Sequence, residues 1–184
     1  MCGMYLTTNT ELLDTLRALN STRASTGAIN ENTYGCITVG HFRARTSGCN
    51  GFSHPSVIGD THLYHNGIIK NTTLAKYHPY NYKNIWDTPV LHSIVVNDFA
   101  SIGDVDGSFA CFYVVNGAIK FFRNHLSPLW IDTAQGHITL SSVKFSNECT
   151  MISAGTVYVI NSDLTISVES TFAVGSNPFN SVLK

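Results

Sequence analysis

The sequence predicts an α+β domain in which apolar strands form two stacked sheets covered by helices. Three observations carry that expectation. The runs SFACFYVV (108–115) and AIKFFR (118–123) are joined by Asn116-Gly117, a pair suited to a tight hairpin because both turn positions need positive φ. Leu12, Leu13, Leu16 and Leu19 recur at helical spacing. Apolar strand signals lie on both sides of the helical stretches, a pattern that suits layered sheets rather than a bundle.

Taken in order, Asn9 or Thr10 caps the first helix, which ends near Asn20. Residues 20–34 are rich in Ser, Thr, Asn and Gly and read as a loop. Strands are expected at 35–39 and 61–65. A second helix starts with Thr88 as N-cap and Pro89 at the first helical position, where a missing N–H costs nothing. Its apolar residues Leu91, Ile94, Val95 and Phe99 continue that helix. After Gly107 only strands follow: the Asn116-Gly117 hairpin, PLWIDT, a turn at Gln135-Gly136, HITLSS and TVYVI. From about Ser170 a stretch of Gly, Asn, Ser and Pro reads as a loosely held extension. With no internal repeat, low-complexity tract or linker, residues 1–184 are expected to form a single domain.

At 184 residues with 43% hydrophobic and 11% aromatic content, the chain can bury one sizeable core and has no room for a second domain. A net charge of -1 and the lack of any Lys/Arg run argue against a nucleic-acid partner and favour small-molecule chemistry. Only 12% of residues are charged, about half the usual share, which leaves neutral surface for a protein partner. Five cysteines, at 2, 36, 49, 111 and 149, show neither CxxC nor scaffold spacing. Cys36 and Cys111, within apolar stretches, are expected to be buried. No signal sequence and no membrane-length apolar run is present, so a reducing cytoplasm and no membrane association are expected. Among the eight histidines, His62 and His65 would point to opposite faces of a strand, and no HExxH or Cys/His cluster occurs. Neither a metal site nor a cofactor is expected.

The candidate chemistry begins at Cys2. Removal of Met1 would leave a thiol and a free α-amine on one residue, a nucleophile with its own base, at reference pKa values of about 8.5 and about 7.7–8.0. A small residue that merely permits methionine removal is the plain alternative. Further segments follow in fixed order: GHFRARTSG at 40–48, HNGIIKN at 65–71 and WDTPV at 86–90. Together with the N-terminal Cys-Gly, these strings resemble the glutaminase domain of class II (N-terminal-nucleophile) glutamine amidotransferases. They are most similar to the glucosamine-6-phosphate synthase branch, whose strings run GH-x-R-x-x-T-x-G, HNGIIEN and DTE. Weaker similarity continues through Arg123 with Ser127-Pro128-Leu129, Ser141-Ser142, and 154–158.

That resemblance implies a four-layer αββα sandwich and hydrolysis of the L-glutamine side-chain amide. It implies that Cys2 attacks to give a γ-glutamyl thioester and that Asn66 and the Gly67 N–H hold the oxyanion. Arg43 would grip the substrate α-carboxylate, Thr46 would supply a hydroxyl contact and Asp87 would pair with the α-ammonium. Two of these residues have simpler readings: Asn66-Gly67 as a type I′ turn between strands, and Asp87 as a helix-start carboxylate. His41 and His65 are expected to orient strands rather than react, and Arg45 to face the opposite side from Arg43. Ala44, Ser47 and Pro89 depart from the family strings, which bears on the loop that would close over substrate. Three readings stay open: a glutaminase delivering ammonia to a separate synthetase, a free-standing amidase on another γ-glutamyl-type amide, or a non-catalytic glutamine-sensing subunit.

Overall fold

The computed structural model describes residues 2–25, 29–44, 54–80 and 85–174. Among these, two six-stranded antiparallel sheets carry three α-helices. The first sheet is built from β1 (Gly3–Thr7), β2 (Ile29–Tyr34), β3 (Ile37–Phe42), β8 (Trp130–Asp132), β9 (Thr139–Ser141) and β10 (Thr150–Met151), in the order β10-β8-β9-β1-β3-β2. The second holds β4 (Ser56–Ile58), β5 (Thr61–Ile69), β6 (Gly107–Val115), β7 (Ala118–Arg123), β11 (Thr156–Ile160) and β12 (Ile166–Thr171), in the order β12-β11-β7-β6-β5-β4. The helices are α1 (Leu13–Ser21), α2 (Asn71–Tyr77) and α3 (Asp87–Asn97).

Strand alternation sorts the core into layers. Met4, Leu6, Val39 and Leu140 of the first sheet pack against Tyr64, Phe112, Ile119 and Phe121 of the second. Their neighbours face outward: Tyr5 and Phe42 meet Leu16 of α1, while Leu63, Ile69, Phe109 and Phe122 meet Leu74 of α2 and Val90, Leu91, Ile94 and Val95 of α3. Truncating a fully buried ring such as Phe112 would cost about 3–5 kcal/mol. Among the described residues no helix is long and apolar enough to cross a membrane.

The hairpin forms as expected, with Asn116 at φ 50 and Gly117 at φ 77 between β6 and β7. Several other expectations need correction. Residues 29–34, read as loop, form edge strand β2; pairing with β3 overrides their polar composition, and both faces of the strand are largely exposed. Cys36 lies in the β2–β3 turn and is exposed rather than buried, because pairing brings 34 and 37 together and leaves Gly35-Cys36 outside the ladder. Helix α3 starts at Asp87, so Thr88 is inside its first turn, and Phe99 falls in a separate 3-10 turn. Helix α2 has no counterpart among the expected elements. The C-terminal segment is held further than expected: β12 runs to Thr171, and Phe172 packs against Phe99, Phe109 and Phe122.

Candidate active site

Strand β1 lies between β3 and β9, with Cys2 immediately before it. Period-two alternation puts Cys2 on the same face as Met4 and Leu6, toward the second sheet, where β1 touches β5. A polar network fixes this end of the strand. Met4 N–H donates to Ser142 Oγ at 3.0 Å and Ser142 N–H to the Met4 carbonyl at 2.9 Å. Buried Asn20, at the end of α1, accepts from Ser142 Oγ at 3.2 Å and donates to Ser141 Oγ at 3.1 Å. A side chain at position 3 would lie 2.3 Å from the Asn20 carbonyl oxygen, so only glycine lets the helix end pass beside the residue after Cys2.

Cys2 Sγ accepts the Ala44 N–H at 3.3 Å and lies 3.8 Å from the Ala44 carbonyl oxygen. Burial pushes its thiol above the ordinary value; the Ala44 N–H and Arg43 act against that rise, and Asp87 adds to it. A thiol kept protonated in this way needs a base within reach before it can attack.

Cys2 opens onto a cavity of about 190 Å³ that Arg43, Gly67 and Asp87 also line. It is smaller than the roughly 300–1,000 Å³ typical of drug-sized ligands, which suits a small metabolite. Leu74, Ile85 and Trp86 supply apolar wall, and the Arg43 guanidinium lies over the Trp86 ring at 6.0 Å. Asp87 Oδ2 accepts the Ile69 N–H at 2.9 Å, tying the start of α3 to β5.

Asn66 and Gly67 are not a turn. Both lie within β5, opposite Ala110 and Phe109 of β6. Alternation turns Asn66 toward the first sheet with Tyr64, and its Oδ1 and Nδ2 are buried with no partner among the described residues. An unsatisfied buried amide costs about 1–3 kcal/mol, so its retention calls for an explanation. Gly67 has φ +154, and a Cβ there would meet the Ser108 carbonyl oxygen at 1.9 Å.

Three buried histidines cluster here, His54 and His65 lining the cavity and His41 packed against them. His41 Nε2–H donates to the His65 carbonyl at 3.0 Å, and His54 stacks on His41 at 3.6 Å between ring centroids. His65 Nε2 lies 3.2 Å from the Ser108 carbonyl, which can only accept; its Nδ1 therefore receives the Thr88 hydroxyl, also at 3.2 Å. Burial lowers His41 to about 3 and holds His54 well below the ordinary value. His62 leaves β5 on the other face, bonded to Tyr34 Oη at 2.6 Å. Among the described residues no group of three His, Cys, Asp or Glu could hold a metal ion.

Thr46, with Arg45 and Ser47, lies outside the described residues. His54 and Asn20 carry no motif of their own; their places follow from the bond of the His54 ring to the His65 N–H and from a contact between α1 and β9 that spans 121 residues of sequence.

No protein-family model and no curated protein matches the sequence. Solved structures do match. One is described as the allosteric regulatory enzyme of purine biosynthesis, at TM-score 0.66 and 18% identity over 96% of this chain and 50% of that one. Another is glutamine phosphoribosylpyrophosphate amidotransferase from B. subtilis in complex with ADP and GMP, at TM-score 0.55 and 18% identity over 95% of this chain and 43% of that one. The likeness is one of fold, and the chain spans about half the length of these structures or less.

Proposed function

We propose that this mixed α/β domain is a class II glutaminase of the four-layer N-terminal-nucleophile type, hydrolysing the side-chain amide of L-glutamine. The observation that carries the reading is convergence: residues 2, 43, 67 and 87, distant in sequence, line one metabolite-sized cavity, and Asn66, next in the chain to Gly67, keeps a buried carboxamide with no partner among the described residues. The likeness in fold to a glutamine-dependent amidotransferase supports it.

In this reading Met1 is removed and the Cys2 α-amine takes the thiol proton as sulfur attacks the γ-carboxamide carbon. The same group, now an ammonium, then protonates departing ammonia. The resulting γ-glutamyl thioester is hydrolysed by water to glutamate. Asn66 Nδ2 and the Gly67 N–H stabilise the oxyanion in both halves of the reaction, a task suited to donors that are fixed and unoccupied beforehand. Arg43 offers a planar fork to the α-carboxylate, and Asp87 keeps an oxygen for the α-ammonium while its other oxygen anchors Ile69. Thr46 completes the substrate contacts. No cofactor enters these steps. The ammonia goes to a separate synthetase-type protein, and the working thiol belongs in a reducing compartment, the cytoplasm.

The test is ammonia release from L-glutamine by the Met1-processed protein, with Cys2→Ala as control. Activity that disappears in a folded Cys2→Ala variant supports the proposal. Equal turnover by the variant refutes it.

A further inference from the structure

On the N-terminal side of Ser56 the second sheet loses its edge strand just where the cavity begins. β4 pairs with β5 only from Ser56↔Leu63 to Ile58↔Thr61, so on this side β5 has no ladder partner past Leu63 among the described residues. Continuing the same register puts His54 opposite His65. There the imidazole takes over what a strand backbone would do: His54 Nδ1 accepts the His65 N–H at 3.4 Å, and the ring also hydrogen-bonds the Leu63 backbone.

In an antiparallel strand the N–H and C=O of alternate residues point to the same edge. Ile68 donates toward β6, to Ser108 Oγ at 3.1 Å, so residues 65, 67 and 69 present their N–H groups to the open edge. The first of these is held by His54 and the third by Asp87 Oδ2. Gly67, between them, lines the Cys2 cavity. Its N–H direction is therefore set by the two clamps on either side.

His54 is itself braced. It stacks on His41, whose Nε2–H holds the His65 carbonyl, and it meets the edge of Trp86 at 5.2 Å between ring centroids. Trp86 in turn lies under the Arg43 guanidinium. A continuous column thus runs from the proposed carboxylate clamp to the strand that carries the oxyanion donors.

Resting on the amidase reading above, we infer that His54 is a positioning residue that holds the open edge of β5 so that the Gly67 N–H faces the Cys2 cavity. It lines the Cys2 cavity beside Gly67 but is assigned no contact with the reacting atoms, acting instead through His65 and its neighbours. Its loss should therefore lower kcat while leaving substrate affinity, set by Arg43 and Asp87, nearly unchanged.

The experiment compares His54→Leu with His54→Asn in the processed full chain. Both lose the ring stack, and only Asn keeps an acceptor near the place of Nδ1. For His54→Leu a kcat loss on the order of 10-fold to 100-fold is expected, the scale of a misplaced catalytic group. KM should stay within about threefold, and amide exchange should rise in the peptide covering 64–69. His54→Asn should keep kcat near wild type and exchange slow. Should His54→Leu fail to melt cooperatively, His54→Phe, which keeps the stack and loses the acceptor, takes its place with the same expectation. Wild-type kcat in the folded acceptor-less variant, or equal losses in it and His54→Asn, overturns the inference while leaving the amidase reading intact. A processed wild-type protein that releases no ammonia from L-glutamine overturns both, and is distinguished because no variant is needed to see it.

Discussion

Acidification should weaken this protein through histidines that the fold keeps neutral, and His41 allows the size of the effect to be worked out. Its side chain is fully buried, and burial lowers its pKa to about 3, against about 6.5 in an unfolded chain. Because the folded value is depressed, the unfolded chain binds a proton between these limits that the folded chain refuses. The stabilisation is complete above about pH 6.5 and is lost as pH falls toward 3. At about 1.4 kcal/mol per pH unit, His41 alone should cost about 2 kcal/mol at pH 5, a large part of the roughly 5–15 kcal/mol that holds a domain together. His54 and His92, also lowered by burial, act in the same direction. The assay is urea unfolding of wild type and His41→Gln at about pH 7.5 and about pH 5. The Gln side-chain amide can still donate to the His65 carbonyl but cannot titrate, so the variant should lose about 2 kcal/mol less than wild type on acidification. Identical losses in the two proteins would refute a buried, neutral His41.

The remaining predictions separate binding from chemistry. Asn66→Ala should lower kcat by about 10²–10³ with little change in KM, as expected for a missing oxyanion donor, measured by steady-state ammonia release. Arg43→Ala should mainly raise KM, since the α-carboxylate keeps its charge throughout the reaction. Gly67→Ala should lower the melting temperature strongly, because the added Cβ meets backbone rather than a flexible side-chain end.

What could be read from the sequence was local. The Asn116-Gly117 hairpin and the helical spacing of Leu12 to Leu19 are set by residues close to one another, and both elements form. The strings around Cys2, Arg43, Asn66-Gly67 and Asp87 pointed to segments that the fold then gathers, four of those residues lining one cavity. The missed features depend on distant partners. INENTY becomes β2 only because β3 pairs with it, and NTTLAKY becomes α2 although its seven residues show no clear period. Lys70, Thr72 and Thr73 all bond to Asp106, more than thirty residues away, and so fix the start of that helix. Cys36 sits among apolar neighbours in sequence yet falls at the tip of a hairpin. His54 has no motif, and its role appears only when the register of β4 is carried past its last paired residue.

The account's central claim is that Cys2, freed from Met1, is the nucleophile for a glutamine-like amide. Intact-mass and peptide analysis after treatment with 6-diazo-5-oxo-norleucine tests it most directly, since this electrophile requires both the amino-acid clamps and the thiol. The account predicts a protein lacking Met1 that carries a single adduct on Cys2, with L-glutamine slowing its formation. Labelling of Cys36 or Cys149 with Cys2 untouched, or full retention of Met1 in protein that releases ammonia, would contradict it.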